Sequence, residues 1–292
     1  MLATGRVLQN KNSKSQTDVH GDPVGLRSGS TLLVPGDPAP YETVNTGGAA
    51  RVLLVCDHAS RAIPATLANL GLPEAALDRH IACDLGAGDL TRSLAQSLDA
   101  PAVLAGFSRL VVDCNRALDD PTAFLAVSDG DIVPGNRDLD VAAKALREQE
   151  IYWPYHQAIE AQLDEYRLNG LTPALIAIHS FTPFYDRQAR PWEIGVLWDK
   201  DPRIPVQLIH RLRDSGVVVG DNKPYSGKHP ADFTIDHHGE EAGLPCVSIE
   251  IRQDLVRSAE GVAQWARLLG KVLADILADD DLYRPREREN LI

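Results

Sequence analysis

Val52-Leu-Leu-Val-Cys56-Asp57-His58 is the stretch that decides the fold class. Five apolar residues in an unbroken row read as a strand buried on both faces, and such strands belong to parallel sheets covered by helices. The row ends on a carboxylate and an imidazole. The same design recurs at Ala174-Leu-Ile-Ala-Ile178-His179-Ser180 and at Cys246-Val-Ser-Ile249-Glu250-Ile-Arg252. Open α/β sheets bind ligands beyond the carboxyl ends of their strands. His58, His179 and Glu250 are therefore assigned to one site.

Working outward, strands are expected at 51–56, 102–105, 110–112, 174–179, 193–198, 217–220 and 246–251. Helices are expected at about 73–81, 84–98, 202–214, 233–242 and 259–278, with a long one at 139–168 interrupted near Pro154, whose ring removes a backbone donor. In the closing helix Val262, Trp265, Leu268, Leu269, Val272 and Ile276 share one face. The alternation predicts an α/β three-layer sandwich: a mixed, largely parallel sheet with helices on both faces. It runs without a linker, so residues 49–292 read as a single catalytic-type domain. Residues 1–48, rich in Gly, Pro, Ser, Asn and Asp, read as an N-terminal extension, partly disordered or a wrapping arm. Residues 118–138 are loop-like and long enough to form a flap over the site.

A net charge of -12 argues against binding to nucleic acid or anionic membranes. A local arginine pair can still receive a small anion. The four cysteines form no CxxC pair and read as buried, reduced thiols, which suits a cytoplasmic protein. There is no membrane-length apolar run and no apolar signal core. GxGxxG, Walker A, HExxH and GxSxG patterns are absent, so nucleotide and serine-hydrolase readings fall away. The oligomeric state is left open.

Two imidazoles at strand ends suit zinc or another divalent metal, and His58 and His179 are the expected ligands. A third ligand is needed. Asp84 is the choice, although a carboxylate at a helix start equally reads as an N-cap. Glu250 is the expected general base, and strand alternation places it on one face with Arg252, so a structural ion pair is its rival reading. Arg109, Asn115, Arg116 and Arg252 are expected to hold an anionic group of the substrate. Ser180 is expected to contact substrate, and Tyr225 and Ser226 to offer a phenol or hydroxyl at the mouth of the site. His237 and His238 are left out of the metal shell, since chain neighbours point apart, with one of them free to contact substrate.

Taken together, Cys56-Asp-His58-Ala-Ser60, Asp84-Leu-Gly86-Ala87, Ser108-Arg109-Leu-Val-Val-Asp113-Cys-Asn115-Arg116, His179-Ser-Phe-Thr-Pro183, Pro224-Tyr225-Ser-Gly227 and Ile249-Glu250-Ile-Arg252-Gln-Asp-Leu255 resemble the N-formylglutamate amidohydrolase family over residues 52–255. The resemblance implies the phosphorylase/hydrolase-like sandwich shared with zinc carboxypeptidases, aspartoacylases and cell-wall amidases. It implies a zinc-dependent enzyme with His58 and His179 as ligands and Asp84 where a carboxylate ligand is expected. The HxxE spacing of carboxypeptidases is absent, because position 61 is Arg. Glu250 matches the water-activating glutamate, and Asn115-Arg116 resembles the pair that holds a substrate carboxylate. The implied reaction is hydrolysis of N-formyl-L-glutamate, a small anionic amide, in histidine degradation. Alternatives are another N-acyl-amino-acid or peptidoglycan-type amidase, or a non-catalytic metabolite-binding relative.

Overall fold

The computed structural model describes residues 31–228 and 232–284. The part of the expected N-terminal extension before residue 31 lies outside the described residues, and Thr31 onward belongs to one compact unit. Seven strands form the main sheet: β1 (Tyr41–Val44), β2 (Val52–Cys56), β3 (Ala102–Ala105), β4 (Ala174–Phe181), β5 (Ile194–Leu197), β6 (Val219–Asp221) and β7 (Cys246–Arg252). Their order is β1-β3-β2-β4-β7-β5-β6. The central strands β3, β2, β4 and β7 run parallel, while β1 pairs antiparallel with β3 and β5 antiparallel with β7. This is the mixed, mostly parallel α/β sheet expected from the apolar runs.

Strand pleating sends alternate side chains to opposite layers. From β2 and β4, Val52, Leu54, Ile176 and Ile178 enter one core with helices α1 (Ala87–Leu98), α3 (Pro205–Asp214) and α4 (Ala259–Leu277). Leu53, Val55, Leu175 and Ala177 enter the other, under α2 (Trp153–Leu168). Fully burying each such side chain is worth about 1.5–3 kcal/mol, so both layers are strongly held. Helix α4 starts where the Ser258 hydroxyl accepts from the Gly261 amide. It lies close on α1 at Gly270, where a Cβ would stand 3.1 Å from the Ser97 hydroxyl.

The expected long helix is a helix at Val141–Arg147, a π-helical turn at Glu148–Tyr152, and then α2. Pro154 sits in the first turn of α2 and has no amide proton to return to the preceding turn. The widened turn accommodates this, with the Trp153 amide reaching back to Glu148. The expected strand at 110–112 is instead a tight turn, closed by the Val111 amide on the Ser108 carbonyl, that runs into irregular chain. Leu110, Val111 and Val112 are buried as a plug, and the carbonyls of Leu110 and Val111 accept from Asn136 and Arg147 rather than from a strand. Apolar sequence predicted burial there, and burial is what occurs. Segment 118–138 contains a small hairpin (Val127–Ser128 with Asp131–Ile132) and is fastened by buried Asn136. All four cysteines are buried and unpaired. No helix among the described residues is long and apolar enough to cross a membrane.

Candidate metal centre and active site

Parallel strands β2 and β4 are neighbours, so their carboxyl ends deliver His58 and His179 side by side, with ring centroids 5.1 Å apart. Between them lies Asp84. Its Oδ2 is 3.0 Å from His179 Nδ1 and 3.4 Å from His58 Nδ1. It also accepts from the Ser180 amide at 3.2 Å. This decides the alternative left open above: the Asp84 side chain does not cap α1. The helix begins instead at Gly86, whose φ of +82° and lack of a Cβ let the chain turn against Val256. The Asp84 backbone amide donates to the His58 carbonyl at 3.0 Å, tying the two segments together.

The outer nitrogens of both imidazoles face other buried carboxylates. His58 Nε2 donates to Asp113 Oδ1 at 2.7 Å. His179 Nε2 lies 3.1 Å from Asp57 Oδ2, an ion-pair distance out of line for a hydrogen bond. Asp57 is itself held by the hydroxyls of Tyr155 and Thr234. A carboxylate beside Nε2 favours the proton on that nitrogen, which leaves each Nδ1 lone pair aimed at Asp84. One ligand atom from each of His58, Asp84 and His179 lies within 4.8 Å of the others. Three electron-pair donors converging in a buried place suit a divalent cation, and the donor set of two imidazoles and a carboxylate is that of catalytic zinc sites. With protons alone, burial opposes charge on both histidines. Asp113 and Asp84 still raise His58, and Asp57 and Asp84 raise His179 well above the usual range.

Glu250 reaches the same place from β7, directly beside His179 in the parallel register and opposite Gly195 of β5. A Cβ at Gly195 would stand 2.2 Å from the Lys223 carbonyl oxygen and 3.3 Å from the Glu250 Cβ, so only glycine fits between them. Glu250 is buried and its Oε2 has no hydrogen-bond partner. Burial, together with the Asp84 charge, pushes its pKa up to about 7 against the opposing pull of His179 and His58. Nothing pairs it with Arg252. That arginine binds Asp254 and the carbonyls of residues 190–192, and it does not line the cavity. Its expected substrate role is corrected: β7 ends there, and a carboxylate two residues on captures the guanidinium.

His58, Asp84, His179 and Glu250 line a cavity of about 590 Å³. Arg109, Asn115, Arg116, Ser180 and Tyr225 line it too, as do Ser226, Leu197, Asp120, Thr122 and Asp232, of which the last three have no sequence signal. Arg109 is bound to Asp113 at 2.7 Å and lies 3.8 Å from Asp84. The Asn115 side-chain oxygen accepts from the Thr234 amide, which turns its NH2 group the other way. Arg116 donates to the Asn115 carbonyl at 2.8 Å. The Ser180 hydroxyl donates to Leu85, and the Tyr225 hydroxyl accepts from Arg190 at 3.0 Å. Arg190 was missed in the sequence because no charge partner or motif marks it. His238 is outside this cavity, facing Glu160 and His156, so the expectation of substrate contact from the histidine pair is not met.

The profile of the N-formylglutamate amidohydrolase family matches residues 50–257, which carry every one of these side chains. The chain belongs to that family. Family membership makes it an amidohydrolase acting on a small amide. A gene product of Agrobacterium tumefaciens is 34% identical, with a TM-score of 0.82 over 84% of this chain and 98% of its own. An N-formylglutamate amidohydrolase from Ralstonia eutropha has the same fold at 20% identity, with a TM-score of 0.63 over 82% of this chain and 97% of its own. No curated protein matches the chain.

Proposed function

We propose that this amidohydrolase removes a small acyl group of the formyl type from the nitrogen of an acidic amino acid, with N-formyl-L-glutamate as the leading substrate. The observation that carries the reading is Glu250: a buried carboxylate with an unpaired oxygen, facing the His58–Asp84–His179 convergence across one cavity. Those three residues would hold a divalent metal, zinc by donor type, which when bound polarises the amide carbonyl and acidifies water. Asp113 and Asp57 keep the two imidazoles in the ligand tautomer.

Glu250 accepts the proton of the attacking water and returns it to the leaving nitrogen, so one carboxyl group serves as base and then as acid. Its raised pKa suits both halves of that exchange. Arg116 and the NH2 of Asn115 hold a substrate carboxylate, with Arg109 lending positive potential while bound to Asp113. Tyr225 and Ser180 line the wall. The low-dielectric setting, with Leu197 beside the polar groups, strengthens each of these interactions.

The test is Glu250→Gln. Loss of the proton carrier should lower kcat on N-formyl-L-glutamate by at least about 10²-fold, with metal content unchanged. Full activity would end the assignment. A second reading, a different N-acyl amino acid, is favoured by the cavity volume and by Asp120 and Asp232 in its lining, which disfavour a second carboxylate. A panel of N-formyl, N-acetyl and longer N-acyl derivatives of glutamate, aspartate and neutral amino acids ranks the two by kcat/KM.

A further inference from the structure

Outside the cavity, a second group of donors is assembled between α2 and the π-helical turn Asp236–Glu240. Helix α2 contributes His156 and Glu160, one turn apart on one face. The turn contributes His237 and His238, whose rings stand 4.8 Å apart, so these neighbours do come together. Ligand atoms of Glu160, His237 and His238 all lie within 4.8 Å of one another.

The hydrogen bonds fix where protons can sit. His156 is 3% exposed, and its Nε2 lies 3.0 Å from the Cys114 carbonyl, which can only accept. In the neutral ring, with the proton on Nε2, Nδ1 is an acceptor. His238 Nε2 lies 2.9 Å from that Nδ1 and must donate to it. His238 is 1% exposed, and its remaining nitrogen, Nδ1, faces Glu160 Oε1 at 2.7 Å. At that distance one cation, a proton or a metal ion in its place, serves both the nitrogen and the carboxylate oxygen. His237 adds a third donor. Its ring stacks on Phe233, with centroids 5.2 Å apart, and its Nδ1 is 3.3 Å from Glu241 Oε2.

We propose that Glu160, His237 and His238 form a second divalent-cation site, of the zinc, cobalt and nickel class, with His156 as the residue that orients His238. The nitrogen and oxygen donors select this class over magnesium or calcium. Glu160 and His237 are about half exposed, so the ion enters from solvent and the carboxylate can open to coordination distance. Binding displaces the proton shared by His238 and Glu160 and tightens as pH rises. The site is structural. It joins α2 to the segment whose Thr234 donates from its hydroxyl to Asp57 and from its amide to Asn115.

The test is elemental analysis of the full-length protein after equilibration with micromolar zinc and dialysis without chelator. Wild type should retain about one zinc per chain more than His237→Ala, and about one more than Glu160→Gln. Both changes are at exposed side chains, and circular dichroism checks that the fold is kept. The count is a difference, so it stands whether or not the His58–Asp84–His179 centre is loaded. Release of about one proton per zinc lost to the variants, read with a pH indicator, is the second expected result. Equal zinc in wild type and both variants would show that a proton alone occupies the position and would overturn the proposal.

Discussion

Asp113→Asn isolates the role of the carboxylate behind His58. Asp113 is 1% exposed and accepts from His58 Nε2, from Arg109 Nη2 and, through Oδ1, from the Asn115 amide. An asparagine can keep its oxygen toward His58 and Asn115 only by turning its NH2 onto the Arg109 guanidinium, donor against donor. Arg109 is the more exposed partner, so this is the orientation expected. The freed guanidinium then has Asp84 as its nearest anion, now 3.8 Å away. It would compete with the metal for the carboxylate placed between the two histidines. Changing the partner behind a metal ligand typically lowers metal affinity about 10–100-fold, equivalent to about 1.4–2.7 kcal/mol, and the loss of the carboxylate charge with the competition from Arg109 should act on that scale. Breaking a fully buried pair costs about 3–5 kcal/mol; partial exposure of Arg109 lowers this to about 2–3 kcal/mol, or a drop in Tm of roughly 5–10 °C for a domain of this size. A chelator-competition titration measures the first effect, and a melt in excess chelator measures the second without the metal. Unchanged metal affinity would refute the role given to the Asp113 charge, whatever happened to the melt.

Gly86→Ala should destabilise by at least about 2 kcal/mol, because φ is +82° and the new Cβ would meet the Val256 carbonyl at 2.2 Å; an unchanged urea midpoint would contradict this. Arg252→Ala should leave kcat/KM within about twofold, since its partners lie outside the cavity, and a tenfold loss would return it to the site. His156, pushed by burial down to about 3, binds fewer protons folded than unfolded. Its contribution is therefore fully present above about pH 6.5 and is lost as pH falls toward 3, up to about 4–5 kcal/mol. Acid denaturation of His156→Gln should be shallower over that window, and an identical pH profile would remove His156 as its source.

The sheet was legible because four parallel strands buried on both faces must be written as unbroken apolar rows, and few other structures require them. The placement of His58, His179 and Glu250 followed, since strand ends in such a sheet share one edge. Asp84 was not decidable from sequence. Its local setting satisfies the rules for a helix start, and its bond to His179 spans 95 residues. Arg252 obeyed strand alternation but lay one pleat too far, at the strand's end, where Asp254 claims it. Segment 110–112 shows the limit of apolar patterning, which reports burial and not backbone conformation. The buried Arg147, bound to Val111, Gly135 and Asn136, had no sequence signal, because its partners are two carbonyls and an amide oxygen rather than charges.

His179 and Glu250 stand on neighbouring strands of the sheet, β4 and β7, and His58 lies in the turn two residues beyond the end of β2, the neighbour of β4. The spacing of His179 and Glu250 is therefore one interstrand step of about 4.8 Å, maintained by a backbone ladder. Such an arrangement has no intermediate state of wear. Heating or denaturant should extinguish turnover and far-ultraviolet ellipticity along one curve, because separating His179 from Glu250 requires pulling the central ladder apart.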